Sequence, residues 1–156
     1  MHSPASISNL RRLLALSGSE RRLLFEAWWR LVAAAMRLRL APRQAVTEAL
    51  AEATSPVGRH ESAGTAPSQV ALAVSRAAAH HVLPMTCLPR ALALQRMLRA
   101  RGIAAQLRIG VRKESTDVGG IAAHAWIEVA GVPLGEPQAI EERFQTLVAV
   151  VAQPQR

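Results

Sequence analysis

The spacing of apolar residues predicts four helices in the first two thirds of the chain, each with one apolar side. We expect them at residues 19–40, 42–53, 69–81 and 88–101. Pro42 suits the first turn of the second helix, and Gly102 is a C-terminal stop signal for the fourth. Leu83-Pro84 ends the third. This part of the chain is therefore predicted to be all helical.

After Gly102 the apolar period changes to two, which is typical of strands. We expect strands at residues 103–112, 121–129 and 132–136. In the middle strand the two faces are Ile121, Ala123, Ala125, Ile127, Val129 and Ala122, His124, Trp126, Glu128. Residues 141–152 fit either a helix or a strand. The pattern predicts an α+β fold in which helices pack on a small antiparallel sheet.

Length and composition indicate one domain with an N-terminal helical extension. The chain has 156 residues, of which 50% are hydrophobic, so a packed core can form. We divide it into a helical region at 1–53, a turn-rich linker at 54–68 and a core at 69–156. One cysteine excludes an internal disulfide and a multi-cysteine zinc site, and no metal-ligand spacing or phosphate loop is present. We expect neither a metal nor another cofactor.

The chain carries a formal net charge of +8, almost all of it from arginine. A basic surface attracts nucleic acid, acidic lipid or an acidic protein segment, but an arginine-rich composition explains the charge equally well. No nucleic-acid-binding signature is present, so we do not expect nucleic acid as a partner. Charged residues interrupt the most apolar stretch, 23–40, and no secretory signal is visible. We expect a cytoplasmic protein without a membrane span.

The single cysteine, Cys87, comes directly before the fourth predicted helix, and His124 lies on the middle strand. A helix N-terminus favours a thiolate, because its unpaired N–H groups and positive dipole end stabilise negative charge. The N–H groups of Cys87 and Leu88 would also suit the oxyanion of a tetrahedral intermediate. Taken singly, the cysteine fits a small buried residue and the histidine a structural one. Together they fit a thiol nucleophile and its base.

A third member depends on the turn after the middle strand. A three-residue loop, Val129-Ala130-Gly131, would pair His124 with Glu136 on one face, where the carboxylate can orient the imidazole. A two-residue loop would pair His124 with Pro137 instead and turn Glu136 away. Asp117 is an alternative third member in the preceding loop.

Docking surfaces are expected at large aromatic and arginine side chains. Trp28 and Trp29 are adjacent on the first helix, so one of them must leave the centre of its apolar stripe. It either packs at the domain's own surface or contacts a partner. Arg108 and Trp126 on the strands are further candidates for contact with a substrate or partner.

Two segments, TCLPRALALQRMLRARGIAAQLRIGVRKE and AHAWIEVAGVPLGE, closely resemble the lasso peptide biosynthesis B2 proteins. These are leader peptidases of the transglutaminase-like superfamily, and the resemblance covers about residues 70–144. It implies a transglutaminase-like, papain-like cysteine protease core with a Cys-His-Asp triad. The family motif places the nucleophile on Cys87, the base on His124 and the third position on Glu136, where an aspartate is usual.

The resemblance also implies a reaction and its partners. The enzyme would cut the leader from a ribosomally made precursor peptide, and an ATP-dependent lasso cyclase would join the freed amine to a side-chain carboxyl. The chain has no room for a leader-recognition domain, so we expect the split form, which needs a separate B1-type recognition protein. Two alternatives remain: an acyl transferase with the same site, and a non-catalytic basic module that binds nucleic acid or an acidic partner.

Overall fold

The computed structural model describes residues 16–54, 65–113, 120–136 and 140–146. Their elements, in chain order, are α1 (Gly18–Leu40), α2 (Pro42–Thr54), α3 (Pro67–Ala79), α4 (Cys87–Arg99), β1 (Gln106–Lys113), β2 (Ile121–Val129), β3 (Val132–Pro133), α5 (Ile140–Arg143) and β4 (Gln145–Thr146). The predicted α+β fold is confirmed. Of the predicted linker, 55–64 lie outside the described residues, and α3 begins two residues earlier than expected.

Helix α1 begins with a capping box. Ser17 is the N-cap: the Glu20 backbone N–H donates to its hydroxyl, and its own N–H donates to the Glu20 carboxylate. The backbone bond from Ser17, followed by its hydroxyl bond, lowers the pKa of Glu20 below its usual value. Ala27, Leu31 and Ala34 recur at helical spacing and are buried. The helix thus contributes to the same core as α3, α4 and the sheet.

Helix α4 lies at the centre of the molecule, between α1, α3 and the sheet. Most sides of this helix are buried, and the buried residues are Pro89, Ala91, Leu92, Ala93, Leu94, Gln95, Met97 and Leu98. The buried Gln95 amide donates to the Ala49 and Ala105 carbonyls, at 2.8 and 3.3 Å, and so joins α4 to α2 and to the segment before β1. A helix held on so many sides is a rigid support for a side chain at its first residue.

Helix α4 ends at Arg99, two residues before the predicted end, and Gly102 forms the C-terminal stop that the sequence predicts. This glycine has φ +76°, and the N–H groups of Gly102 and Ile103 donate back to the Arg99 and Leu98 carbonyls at 3.0 and 3.1 Å. This pattern is a Schellman motif, which requires a left-handed residue where glycine is favoured. Because the motif engages Ile103, β1 begins only at Gln106, three residues later than expected.

The four strands have the order β3-β2-β1-β4, and all their pairings are antiparallel. The predicted alternation is confirmed, since Leu107, Ala125 and Ile127 belong to the main core. On the opposite face, Trp126 is buried in a second cluster with Ile140 and Phe144. Those two residues come from the tail, whose described residues form a one-turn helix and then a short strand, so each interpretation holds for part of 141–146, and 147–152 lie outside the described residues.

No helix in the part of the chain that the structure describes combines the length and apolar character needed to cross a membrane.

Candidate active site

Cys87 is the first residue of α4, one position further into the helix than the sequence suggests. Its thiol is half-buried and packs against the main core. Thr86 is the N-cap, with extended φ and ψ of −70° and 179°, and its side chain makes no capping hydrogen bond. Pro89 has no N–H. The first-turn donors at this end are therefore the N–H groups of Cys87 and Leu88, which no described side chain caps.

His124 lies in β2, paired with Gly110 of β1. Its ring stacks at 16° on the Trp126 ring, with centroids 6.1 Å apart, and contacts the Phe144 ring at 5.4 Å. Gly110 makes this arrangement possible, because a Cβ there would lie 2.8 Å from Phe144 Cβ and 2.9 Å from the Trp126 ring. The absence of a side chain at Gly110 thus leaves space for the two aromatic rings that hold the imidazole in place.

Glu136 contacts the imidazole, with its Oε2 atom 3.1 Å from His124 Nε2. The two side chains are 18% and 23% exposed. The distance is that of an ion pair, but the carboxylate lies off the N–H direction, and Nε2 has no hydrogen bond of good geometry to a described residue. In this conformation the carboxylate therefore contacts the imidazole without an aligned hydrogen bond.

Of the two loops that the sequence leaves open before Glu136, the structure has the two-residue one. Val129 pairs with Val132, which leaves a two-residue loop in which Ala130 and Gly131 have φ of 52° and 77°. Two left-handed residues match the twist of a hairpin, which explains the preference for this turn. In this register a continued strand would turn Glu136 away from His124.

A bend after β3 brings Glu136 back to His124. The two-residue register continues only as far as Leu134, whose N–H donates to the Ile127 carbonyl at 2.9 Å. Gly135 then adopts φ +74°, which is favourable for glycine and redirects the chain. The predicted contact between His124 and Glu136 is present, but it results from the bend at Gly135 and not from strand pairing. Asp117 and Pro137 lie outside the described residues.

Cys87, His124 and Glu136 line one cleft between α3, α4 and β2. Other lining residues include Ser75, Arg90, Ala125 and Leu134. The cleft has a volume of about 40 Å³. Since one water needs about 10–15 Å³ by the same measure, the cleft holds only a small group, and a longer molecule would have to lie across its mouth. The structure thus brings together the three residues selected from the sequence.

The candidate docking residues have different environments. Trp28 is half-buried, with its ring 5.0 Å from that of His81, whereas Trp29 is 52% exposed and lies 6.2 Å from the exposed Phe25 ring. Trp126 is fully buried, so it offers no surface to a partner protein. Arg108 is partly exposed, and its guanidinium pairs with Glu128.

Sequence reasoning assigned no role to Glu128, which is one of two buried polar or charged residues in the described part of the chain. It accepts from Arg108 Nε at 2.8 Å and from the Trp126 indole at 3.0 Å. The network holds the ring on which His124 stacks. A signal was available, because strand alternation places Arg108, Trp126 and Glu128 on one face. Among the described residues, no three metal-ligating side chains are grouped to hold an ion.

A family model for the transglutaminase-like superfamily matches residues 28–149, which is most of the chain. The chain belongs to the transglutaminase-like superfamily. The match begins within α1, so it includes the helices before the predicted core. No curated protein and no solved structure matches the chain. Transglutaminase-like domains include cysteine proteases and acyltransferases, so the membership supports an enzyme of one of these two kinds.

Proposed function

We propose that this transglutaminase-like protein is a cysteine peptidase that removes the leader from a lasso peptide precursor. The observation that carries the proposal is the common cleft of Cys87, His124 and Glu136. A free thiol at the N-terminus of a rigid helix, an imidazole held by aromatic rings and a carboxylate beside it are the parts of a thiol triad.

In the proposed reaction the Cys87 thiolate attacks the carbonyl carbon of the leader–core amide. The N–H groups of Cys87 and Leu88 stabilise the oxyanion. When the C–N bond breaks, protonated His124 gives its proton to the leaving amine, which is the new N-terminus of the core. The leader remains as a thioester on Cys87. His124 then takes a proton from water, which attacks the thioester, releases the leader as a carboxylic acid and restores the thiol.

Glu136 has an electrostatic role in this proposal. The carboxylate stabilises the imidazolium form of His124, since opposite charges about 3–4 Å apart favour the charged state. The usual aspartate would be one methylene shorter. The Gly135 bend supplies the approach that suits the longer side chain, because it directs the chain after β3 back to the cleft.

Leader removal as the specific task rests on the two sequence segments that resemble lasso leader peptidases. The proposed partners are the precursor, a separate leader-recognition protein and the cyclase that uses the freed amine. The exposed rings of Phe25 and Trp29 on α1 are the candidate surface for the recognition protein. Aromatic side chains are favoured at such interfaces, because they bury a large area at low cost in side-chain entropy.

An acyl transferase is the second candidate, supported by the superfamily membership. It would use the same thioester but pass the acyl group to an amine in place of water. The masses of the products separate the two reactions: hydrolysis yields a free acid, and transfer yields an amide of the added amine.

The proposal is tested with Cys87→Ala, incubated with a lasso precursor and a leader-recognition protein. Released leader and core are measured by mass spectrometry. We expect cleavage to be abolished, because no other cysteine is present. Ser75→Ala is the matched control: it removes a single polar atom from another residue lining the same cleft and should retain cleavage. Undiminished cleavage by Cys87→Ala would contradict the proposal.

A further inference from the structure

In the described part of the chain, only one end of β2 is covered on the side of β3. Strand β3 has two residues, which pair with Glu128 and Val129, and one further hydrogen bond joins Leu134 to Ile127. Towards its start, β2 has no strand on this side among the described residues. Unpaired edges of this kind are usually covered or charged in proteins, because they bind other extended chains.

The hydrogen-bond pattern shows which backbone groups point to the free edge. The Ile127 carbonyl accepts from Leu134, so Ile127 directs its backbone groups towards β3. In an antiparallel sheet, directions alternate along a strand, and every second residue faces the same neighbour. Ala125 and Ala123 therefore direct their N–H and C=O groups to the same side, where no described residue pairs with them. They offer two donors and two acceptors within about 7 Å.

The free edge is continuous with the candidate active site. Ala125 lines the cleft beside Cys87, and His124 lies between the two alanines in the strand. The solvent exposure of the side chains increases towards the start of β2: Ala125 is buried, Ala123 is exposed and Ile121 is 74% exposed. The helices that cover the cleft end do not cover this part of the strand. An extended peptide has space here, with one end at the thiol.

We infer that the edge of β2 at Ala123 and Ala125 binds the acyl-side segment of the substrate as an added strand. This inference rests on the proposed function and names how that site holds its substrate. The acyl segment stays on the enzyme until the thioester is hydrolysed, whereas the amine leaves after the first step. Contacts that must last through both steps therefore belong to the acyl segment. The narrow cleft then receives only the group next to the scissile bond.

Backbone pairing has two consequences for the substrate. The segment before the cleavage site must be extended, and its recognition depends on amide groups more than on side chains. Because N–H directions alternate in an added strand, only every second amide of the segment donates to β2. This alternation distinguishes strand addition from binding through side chains alone.

The test measures alkylation of Cys87, the only cysteine, by intact-protein mass spectrometry. The probes are acetyl-Ala-Ala-Ala chloromethyl ketone, three versions of it with one N-methyl group each, and iodoacetamide. In the peptide reaction the sulfur bonds to the methylene carbon, chloride leaves and His124 takes the thiol proton. Iodoacetamide reports on the thiol without a peptide backbone. The enzyme variants are Ala123→Pro, which removes one edge N–H, and Ala123→Val, which keeps it.

We expect N-methylation to slow the peptide reagent about three- to tenfold at alternate positions only, the effect of losing one hydrogen bond. Relative to iodoacetamide, Ala123→Pro should slow the unmethylated reagent by a similar factor, and Ala123→Val, which keeps the edge N–H, should slow it by less. Equal rates for all four peptide reagents on the unmodified enzyme would overturn the inference, whether or not Ala123→Pro folds. The proposed function has its separate test in hydrolysis by Cys87→Ala, so the two can fail independently.

Discussion

Two glutamates near the β2–β3 turn have opposite environments. Glu128 is 4% exposed and accepts hydrogen bonds from Arg108 and Trp126, whereas Glu136 is 18% exposed and faces His124 without an aligned hydrogen bond. Leaving a buried hydrogen-bond donor unsatisfied costs about 1–3 kcal/mol, whereas an ion pair without aligned hydrogen bonds contributes about 0–1 kcal/mol. Their burial and hydrogen bonding indicate that Glu128 stabilises the fold and that Glu136 is available for chemistry.

Trp126 connects the two regions. Its indole N–H donates to Glu128, and its ring stacks on His124, which contacts Glu136. The satisfied carboxylate thus positions the aromatic wall of the candidate site, and the cleft carboxylate contacts the imidazole directly. Residue type alone does not identify a catalytic carboxylate. A carboxylate that lies in a cleft and lacks hydrogen-bond donors is the better candidate.

The largest expected effect separates the two glutamates by stability. Glu128→Ala leaves the buried Trp126 N–H without its acceptor and removes buried side-chain atoms, whereas the partly exposed Arg108 guanidinium can be hydrated, so we expect the free energy of unfolding to fall by about 2–4 kcal/mol. Glu136→Ala, the matched control, should lower it by less than about 1 kcal/mol. Urea unfolding followed by circular dichroism measures both. Equal losses would remove the distinction between the two carboxylates.

A second prediction concerns the contact of Gly110 with both aromatic rings. A Cβ there must displace Phe144 or Trp126, and we expect Gly110→Ala to cost about 1–3 kcal/mol of unfolding free energy. Gly18→Ala is the control, because a Cβ at that helix start meets no atom within 4 Å. Thermal unfolding of the two variants gives the comparison. A Gly110→Ala protein as stable as Gly18→Ala would show that the rings do not depend on this glycine.

The third prediction isolates the charge of Glu136. Glu136→Gln keeps the size of the side chain but removes the charge beside His124, so we expect kcat for peptide cleavage to fall about tenfold with little change in stability. Glu52→Gln in α2, outside the cleft lining, should retain the rate. Glu136→Asp tests the geometry, because it keeps the charge and shortens the reach. An unchanged kcat in Glu136→Gln would show that the charge of Glu136 does not contribute to the reaction.

Periodicity and turn chemistry predicted the main helices, the faces of β2 and the end of α4 at Gly102. They also predicted Cys87 at a helix start and His124 on a strand, because both depend on local pattern. The loop before Glu136 stayed open between two lengths, and left-handed conformations at Ala130 and Gly135 determine the register and then the chain direction. A left-handed alanine has no local sequence signal.

The second core could not be predicted from local pattern. It joins Trp126 in β2 to Ile140 and Phe144 in the tail. Ile140 lies in α5, which has only one turn. A segment of that length carries too few positions for a period to be detected. Glu128 was placed on the correct face, but strand alternation does not show that its carboxylate is buried against Trp126 and Arg108. Tertiary contacts therefore decided which of the two glutamates is structural.

The most direct test of the account is the rate at which iodoacetamide alkylates Cys87 at pH 6 to 7 in the unmodified protein, in His124→Ala and in Glu52→Gln. It needs no precursor or partner, and the single cysteine makes the product unambiguous. If His124 activates the thiol, His124→Ala should slow alkylation at least about tenfold, while Glu52→Gln, outside the cleft lining, keeps a rate close to that of the unmodified protein. Equal rates in the unmodified protein and His124→Ala would contradict the central claim that Cys87 and His124 act together.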